Sequence, residues 1–140
     1  MPSAALVALA LQVMGGADVG DAATIAPAIV QAVEWRAAHG LPPASDSPTL
    51  DVVLLATYAR LESSARIEPL PASWDAKAGV SYGVLQMPYR VARMPLDVQC
   101  RTWLGWVTAS SLASVDSSPR RARHRLALAR RALTEALTAR

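Results

Sequence analysis

Phenylalanine is absent from the 140 residues, cysteine occurs once and histidine twice. A single cysteine, Cys100, cannot close an intramolecular disulfide, so the fold does not depend on oxidation. Two histidines and one cysteine fall short of a structural zinc site, and neither a metal nor a cofactor is expected. Aromatic residues make up only 5% of the chain. The core must therefore be built from Leu, Val, Ala and Trp, a composition that favours helices. No transmembrane segment is expected either. The apolar run at 3–14, S-A-A-L-V-A-L-A-L-Q-V-M, is too short to span a bilayer. It resembles the apolar part of a signal peptide but lacks the positive region that should precede it, and it reads as a core helix.

What is present argues for a folded chain. Apolar residues are 52% and mean hydropathy is +0.22, values that exclude disorder. The length suits one domain over 1–140 with a proper core. Net charge is +3, unevenly placed. Residues 118–140 carry seven arginines and one glutamate, while the remainder carries six arginines and Lys77 against ten acids. The basic surplus thus sits on one C-terminal helix. Such a helix attracts phosphate, but no base-reading motif accompanies it, and an anionic polymer or an acidic partner protein would bind the same face.

Apolar spacing and breakers predict the elements. A first helix over about 3–14 stops at Gly15-Gly16, before a polar loop from Ala17 to Asp21. A second runs over about 22–39, with Asp21 as N-cap, Gly40 as terminator and Trp35 in the core. Three prolines between Leu41 and Pro48 make a loop. The helix Thr49–Ser64, capped by Ser47 or Asp46, is apolar nearly all round and should be the most buried element. Residues 65–88 show no helical period. They should form a small irregular lobe, with Val80–Leu85 as a short strand or hairpin arm. Leu96–Ala113 returns to helical spacing. The last helix opens at Ser117-Ser118-Pro119 and should bury Leu126, Ala129, Leu133 and Leu137 while Arg120–Arg131 face solvent.

The stretch Tyr58–Pro88 carries the chemistry. Glu62 falls in the last turn of the buried helix, with Tyr58 and Ala59 four and three residues back on the same face. Apolar surroundings disfavour a charged carboxylate, and a carboxylic acid that keeps its proton near neutral pH can donate it to a leaving group. Taken alone, such a Glu is more often a solvated residue ending a core helix.

Glu62-Ser63 is followed by Gly79-Val80-Ser81-Tyr82-Gly83-Val84-Leu85-Gln86, with Gln86 standing 24 residues after Glu62. This pairing of a Glu-Ser helix end with a Gly-rich segment ending hydrophobic-x-Gln resembles the core motif of the lytic transglycosylases and the wider lysozyme-like superfamily. The resemblance covers about thirty residues. It implies a helical bundle around a central buried helix, with the lobe completing a groove for a peptidoglycan strand. Glu62 would then be the general acid and base that cleaves the MurNAc-GlcNAc β-1,4 bond. Ser63, Gly79, Ser81, Tyr82, Gly83 and Gln86 would contact the sugars. Many glycosidases set a second carboxylate across the bond. Glu68, Asp75 and Asp116 are candidates, and no spacing selects one. Transglycosylases need only one Glu, which suits that silence. Among aromatics, Tyr82 and Tyr89 are as suited to packing as to sugar stacking, and Trp74 in its Pro-rich loop is the better exposed platform.

One element departs from the family. Where its members carry Tyr-Asn-Ala-Gly before the final helix, this chain has Val115-Asp116-Ser117-Ser118. The ring that faces the catalytic Glu is absent here or comes from another residue. Two settings therefore stand side by side. One is a lytic enzyme made in the cytoplasm and acting in the periplasm or cell wall, as phage lysins do. The other is an inert lysozyme-like assembly protein of a phage tail or secretion machine.

Overall fold

The helix Pro48–Ser63 is the axis of the structure, a computed structural model that describes residues 1–15 and 20–139. Among the described residues the fold is mainly α. The helices are α1 (Ser3–Val13), α2 (Ala22–Ala38), α3 (Pro48–Ser63), α4 (Tyr89–Ala92), α5 (Leu96–Ala109), α6 (Leu112–Asp116) and α7 (Pro119–Thr138).

In α3 every residue from Leu50 to Ala59 is buried. Its start is well specified: Ser47 Oγ accepts from Leu50 N at 3.1 Å, and Pro48 occupies the first turn, where its missing N–H costs nothing. Asp51 is buried too. Its carboxylate accepts from Ala44 N and Ser45 N at 2.9 and 2.7 Å, which pins the Pro-rich loop. The helix ends with Ala65 N returning to Ala59 O at 3.0 Å, and with Ser64 and Ala65 at φ 56° and 53°. Two consecutive non-glycine residues in the left-handed region cost about 1–2 kcal/mol each. That strain begins two residues after Glu62.

Helices α1 and α2 pack on one side of α3 and α7 on another, α2 also packs on α5, and α6 leans on α7. Leu6, Ile25, Ile29, Val53, Leu54, Leu104 and Ala129 meet in a shared core. Several expectations give way to local chemistry. The expected helix 96–113 breaks after Ala109, because Ser111 Oγ accepts from Ser114 N at 3.0 Å and starts α6 anew. Asp21 does not cap α2 with its side chain. Its Oδ2 accepts from Ile67 N at 2.6 Å and ties down the lobe. Trp35 is 38% exposed, with its ring stacked on His39 at 3.9 Å and the Arg101 guanidinium 4.2 Å over it. On α7, Leu137 is exposed and Leu133 only half-buried, so truncating Leu133 should cost less than the 2–5 kcal/mol of a fully buried leucine. The Gly16 end of the first stop signal and the loop from Ala17 to Val19 lie outside the described residues.

Residues 65–88 form no strand. A short 3-10 turn over Ser73–Asp75 is followed by a single antiparallel bridge between Tyr82 and Met87. Val84, Leu85 and Met87 are buried, so the turn between the bridge residues is anchored to the helical core.

Candidate active site

Glu62 stands where two cavities meet. The larger, about 550 Å³, lies between the end of α3, the bridge of the lobe, α5 and α6. Tyr58, Ser81, Trp106, Val115 and Asp116 are among its walls. The smaller, about 270 Å³, is polar and includes Ser63, Ser64, Arg66, Glu68 and Gly83. Glu62 and Gln86 belong to both.

The turn that returns Gln86 to Glu62 follows from its sequence. Tyr82 N to Met87 O and Met87 N to Tyr82 O, both 2.8 Å, close the bridge. Gly83 at φ +83° opens the turn, which its missing Cβ permits. Gln86 then takes φ 54°, held by its own Nε2 donating to Gly83 O at 2.9 Å. A strained glutamine at the rim of a cleft is where function tends to store strain.

The nearest group to the Glu62 carboxylate is a guanidinium. Arg125 Nη1 donates to Glu62 Oε1, the two side chains being 12% and 25% exposed. This corrects the expectation of hydrocarbon surroundings, and it also corrects the solvent-facing placement of Arg125. The same guanidinium lies 4.9 Å over the Tyr58 ring and 3.7 Å from Asp116 Oδ2. Asp116 is enclosed. Its Oδ2 accepts from the Tyr58 hydroxyl, its Oδ1 from Arg121 Nε at 2.6 Å, and its carbonyl from Arg121 Nη2 at 2.7 Å. Burial first, and then the bond to Asp116, push the Tyr58 phenol well above its ordinary range. The same carboxylate, by hydrogen bond and charge, raises Arg121.

The other sequence candidates divide. Ser81 and Gln86 are exposed at the larger cavity, and Ser63 and Gly83 border the smaller. Ser63 Oγ donates back to Ala59 O at 2.9 Å, the bond to the carbonyl four residues earlier that is open to a helical serine. Tyr82 borders neither cavity. Its ring meets Tyr89 edge-on at 5.8 Å and its hydroxyl accepts from Lys77 N at 3.3 Å. Tyr89 in turn donates to Pro71 O at 3.1 Å, so both tyrosines hold the lobe to itself. Gly79 at φ +80° shapes the lobe away from the cavities. Trp74 is 83% exposed and also lies outside them. Of the three acids proposed across the bond, Glu68 borders the small cavity, Asp116 the large one and Asp75 neither.

Sequence reasoning missed Arg125, Arg121 and Trp106. Arg125 was findable: it lies three residues after Ala122 and four before Ala129, both buried, so it shares their inward stripe. Among the described residues no group of three His, Cys, Asp or Glu side chains is placed to hold a metal ion, and no helix is long and apolar enough to cross a membrane. No protein-family model, curated protein or solved structure matches the chain.

Proposed function

We propose that the protein is a glycosidase of the lysozyme-like class that cleaves the glycan strand of peptidoglycan, with Glu62 as general acid and base. The observation that carries this reading is the position of Glu62 at the junction of two cavities, both of which Gln86 also lines. An extended sugar chain lying through both would present a glycosidic oxygen to the carboxyl group. Trp106 offers an apolar surface to a sugar face, and the Gln86 amide offers donor and acceptor to a hydroxyl or acetamido group.

In the reaction, protonated Glu62 gives its proton to the leaving oxygen as the bond to C1 breaks. An oxygen then attacks the oxocarbenium-like centre and surrenders its proton to the Glu62 carboxylate, which restores the acid. If the attacker is water, the product has a reducing end. If it is the sugar's own 6-hydroxyl, the product is a 1,6-anhydro end. This activity belongs in the periplasm or cell wall, and the setting is that of a phage lysin or virion-associated enzyme.

Two observations favour a second reading, an inert lysozyme-like scaffold of a phage particle or secretion machine. Arg125 occupies Glu62 Oε1, and Val115 stands at the groove where a ring would face the acid. In that reading the exposed Arg120, Arg123 and Arg131 serve a polyanion or partner protein. A zymogram on purified cell wall separates the two. The enzyme reading expects a cleared band from the wild type and at least about a hundredfold weaker clearing from Glu62→Gln, with folding retained. No clearing by either protein overturns the enzyme reading, and mass spectrometry of the fragments distinguishes anhydro from reducing ends.

A further inference from the structure

Arg125 is placed to do more than neutralise Glu62. Its Nη1 is bonded to Glu62 Oε1 and stands 3.7 Å from Asp116 Oδ2. One nitrogen thus lies between two carboxylates, bonded to the first and just short of the second. Asp116 Oδ2 accepts from Tyr58, and a carboxylate oxygen has lone pairs for two donors. Room for Arg125 therefore remains. The Tyr58 ring lies under the guanidinium at 4.9 Å, a flat surface that favours a cation across its face. Arg121 fixes the opposite oxygen of Asp116, so the second acceptor stays in place while Arg125 moves.

Resting on the glycosidase reading, we infer that Arg125 is a positioning residue that holds Glu62 in the empty groove and passes to Asp116 when sugar enters. The transfer leaves Glu62 to take a proton from solvent and become the acid. The groups that face this arm are Tyr58 from α3, Asp116 from α6 and Arg121 from α7. Arg66 and Glu68 of the lobe share the small cavity with Glu62. An acid that is paired at rest and freed by its substrate stays inactive until the groove is filled.

The test uses wild type, Arg125→Gln, Asp116→Asn and the double variant. The side-chain carboxyl of Glu62 is followed by carbon NMR through a pH titration of the empty protein. Cleavage of purified peptidoglycan is followed against pH in parallel. Cleavage needs protonated Glu62, so the rate falls as pH rises through its titration. Arg125→Gln should move that fall to higher pH. Asp116→Asn removes the competing carboxylate and should move it to lower pH, with a loss of rate on the falling limb. In the Arg125→Gln background, Asp116→Asn should move it no further.

A uniform loss of rate at every pH, with no movement of the limb, makes Arg125 merely structural and overturns the inference. An Asp116→Asn shift of equal size in both backgrounds also overturns it, because Asp116 then acts on Glu62 directly. If Asp116→Asn does not fold, the Arg125→Gln titration decides alone, and no upward movement refutes the arm. If the wild type cleaves nothing, the glycosidase reading fails, while the NMR titrations still decide whether Asp116 reaches Glu62 through Arg125.

Discussion

The Tyr58 hydroxyl donates to Asp116 Oδ2 across the wall of the larger cavity and joins α3 to α6. The Asp116 side chain is wholly enclosed. A buried carboxylate is tolerable only when paired and hydrogen-bonded, and Tyr58 and Arg121 meet that need. Asp116→Ala leaves the phenol without its acceptor and Arg121 without its anion, while Arg125 keeps Glu62. Arg121 is about half exposed, which weakens its share of the loss. The expected cost is about 2–3 kcal/mol, read from urea denaturation. A loss under about half a kcal/mol would show that the site's carboxylate does not help hold α6 on α3.

Two buried protons make the fold sensitive to alkali. Burial, with a smaller contribution from Asp97, pushes the Cys100 thiol from 9.0 up to about 12. Tyr58 is raised from 10.0, again mainly by burial. In both cases the folded chain holds the proton more tightly than the unfolded chain. Their stabilisation is complete below the unfolded pKa and is lost as pH climbs toward the folded one. Stability should therefore decline above about pH 9, with a slope approaching about 1.4 kcal/mol per pH unit for each group. Cys100→Ala should delay the onset to about pH 10, where Tyr58 of the unfolded chain begins to titrate. Denaturation midpoints across pH 8–11 check this, and identical onsets in wild type and variant would remove Cys100 as the cause.

The helical framework was legible because its signals are local. Helix α3 is apolar on every side, Ser47-Pro48 and Ser118-Pro119 are start signals, and both capping bonds form as those residues suggest. The break at Ser110-Ser111 was not legible, since serine is indifferent within a helix until its hydroxyl finds a free N–H to cap. The counter-ion of Glu62 lies 63 residues further along the chain. Counting charge along α7 treated its arginines as one solvated face. Placing each on the helical wheel against Ala122 and Ala129 separates inward Arg125 from outward Arg120 and Arg123. Asp21 reads as the cap of its own helix, and only the tertiary return of Ile67 reveals its partner.

Gly83 and Gly79 share a left-handed backbone but differ in what surrounds them. A Cβ at Gly79 meets nothing within 4 Å, while one at Gly83 reaches Ala92 Cβ and Gln99 Oε1 at 3.5 Å, ordinary contacts. Alanine at either position should cost about 1–2 kcal/mol, from backbone strain alone. The functional outcomes should separate. Gly83 opens the turn that carries Gln86, so Gly83→Ala should lower glycan binding as well as stability. Gly79→Ala should lower stability only. Paired denaturation and peptidoglycan-retention measurements check this, and equal retention by the two variants would detach the turn from the site.

Trp106, not Trp74, should be the sugar platform. Trp74 attracts notice in the sequence because it lies among prolines, and it is indeed 83% exposed. Exposure alone gives a ring nothing to work with. Trp74 borders neither cavity, so a sugar stacked on it would gain no second contact. Trp106 is half-buried on α5 and borders the larger cavity with Glu62, Gln86 and Ser81. Partial burial restricts the ring, and the Arg90 guanidinium stands 6.0 Å from its centroid. A ring already ordered loses little entropy when a sugar arrives. Removing it should cost on the order of 1–2 kcal/mol of binding, roughly 5- to 30-fold in Kd. Trp106→Ala should therefore release the protein from insoluble peptidoglycan at correspondingly lower competitor concentration, while Trp74→Ala binds as the wild type does. To keep cleavage from confusing the measurement, both changes are made in the Glu62→Gln background. Reduced retention by Trp74→Ala with none by Trp106→Ala would move the glycan out of the groove and onto the lobe, and Glu62 would lose its substrate.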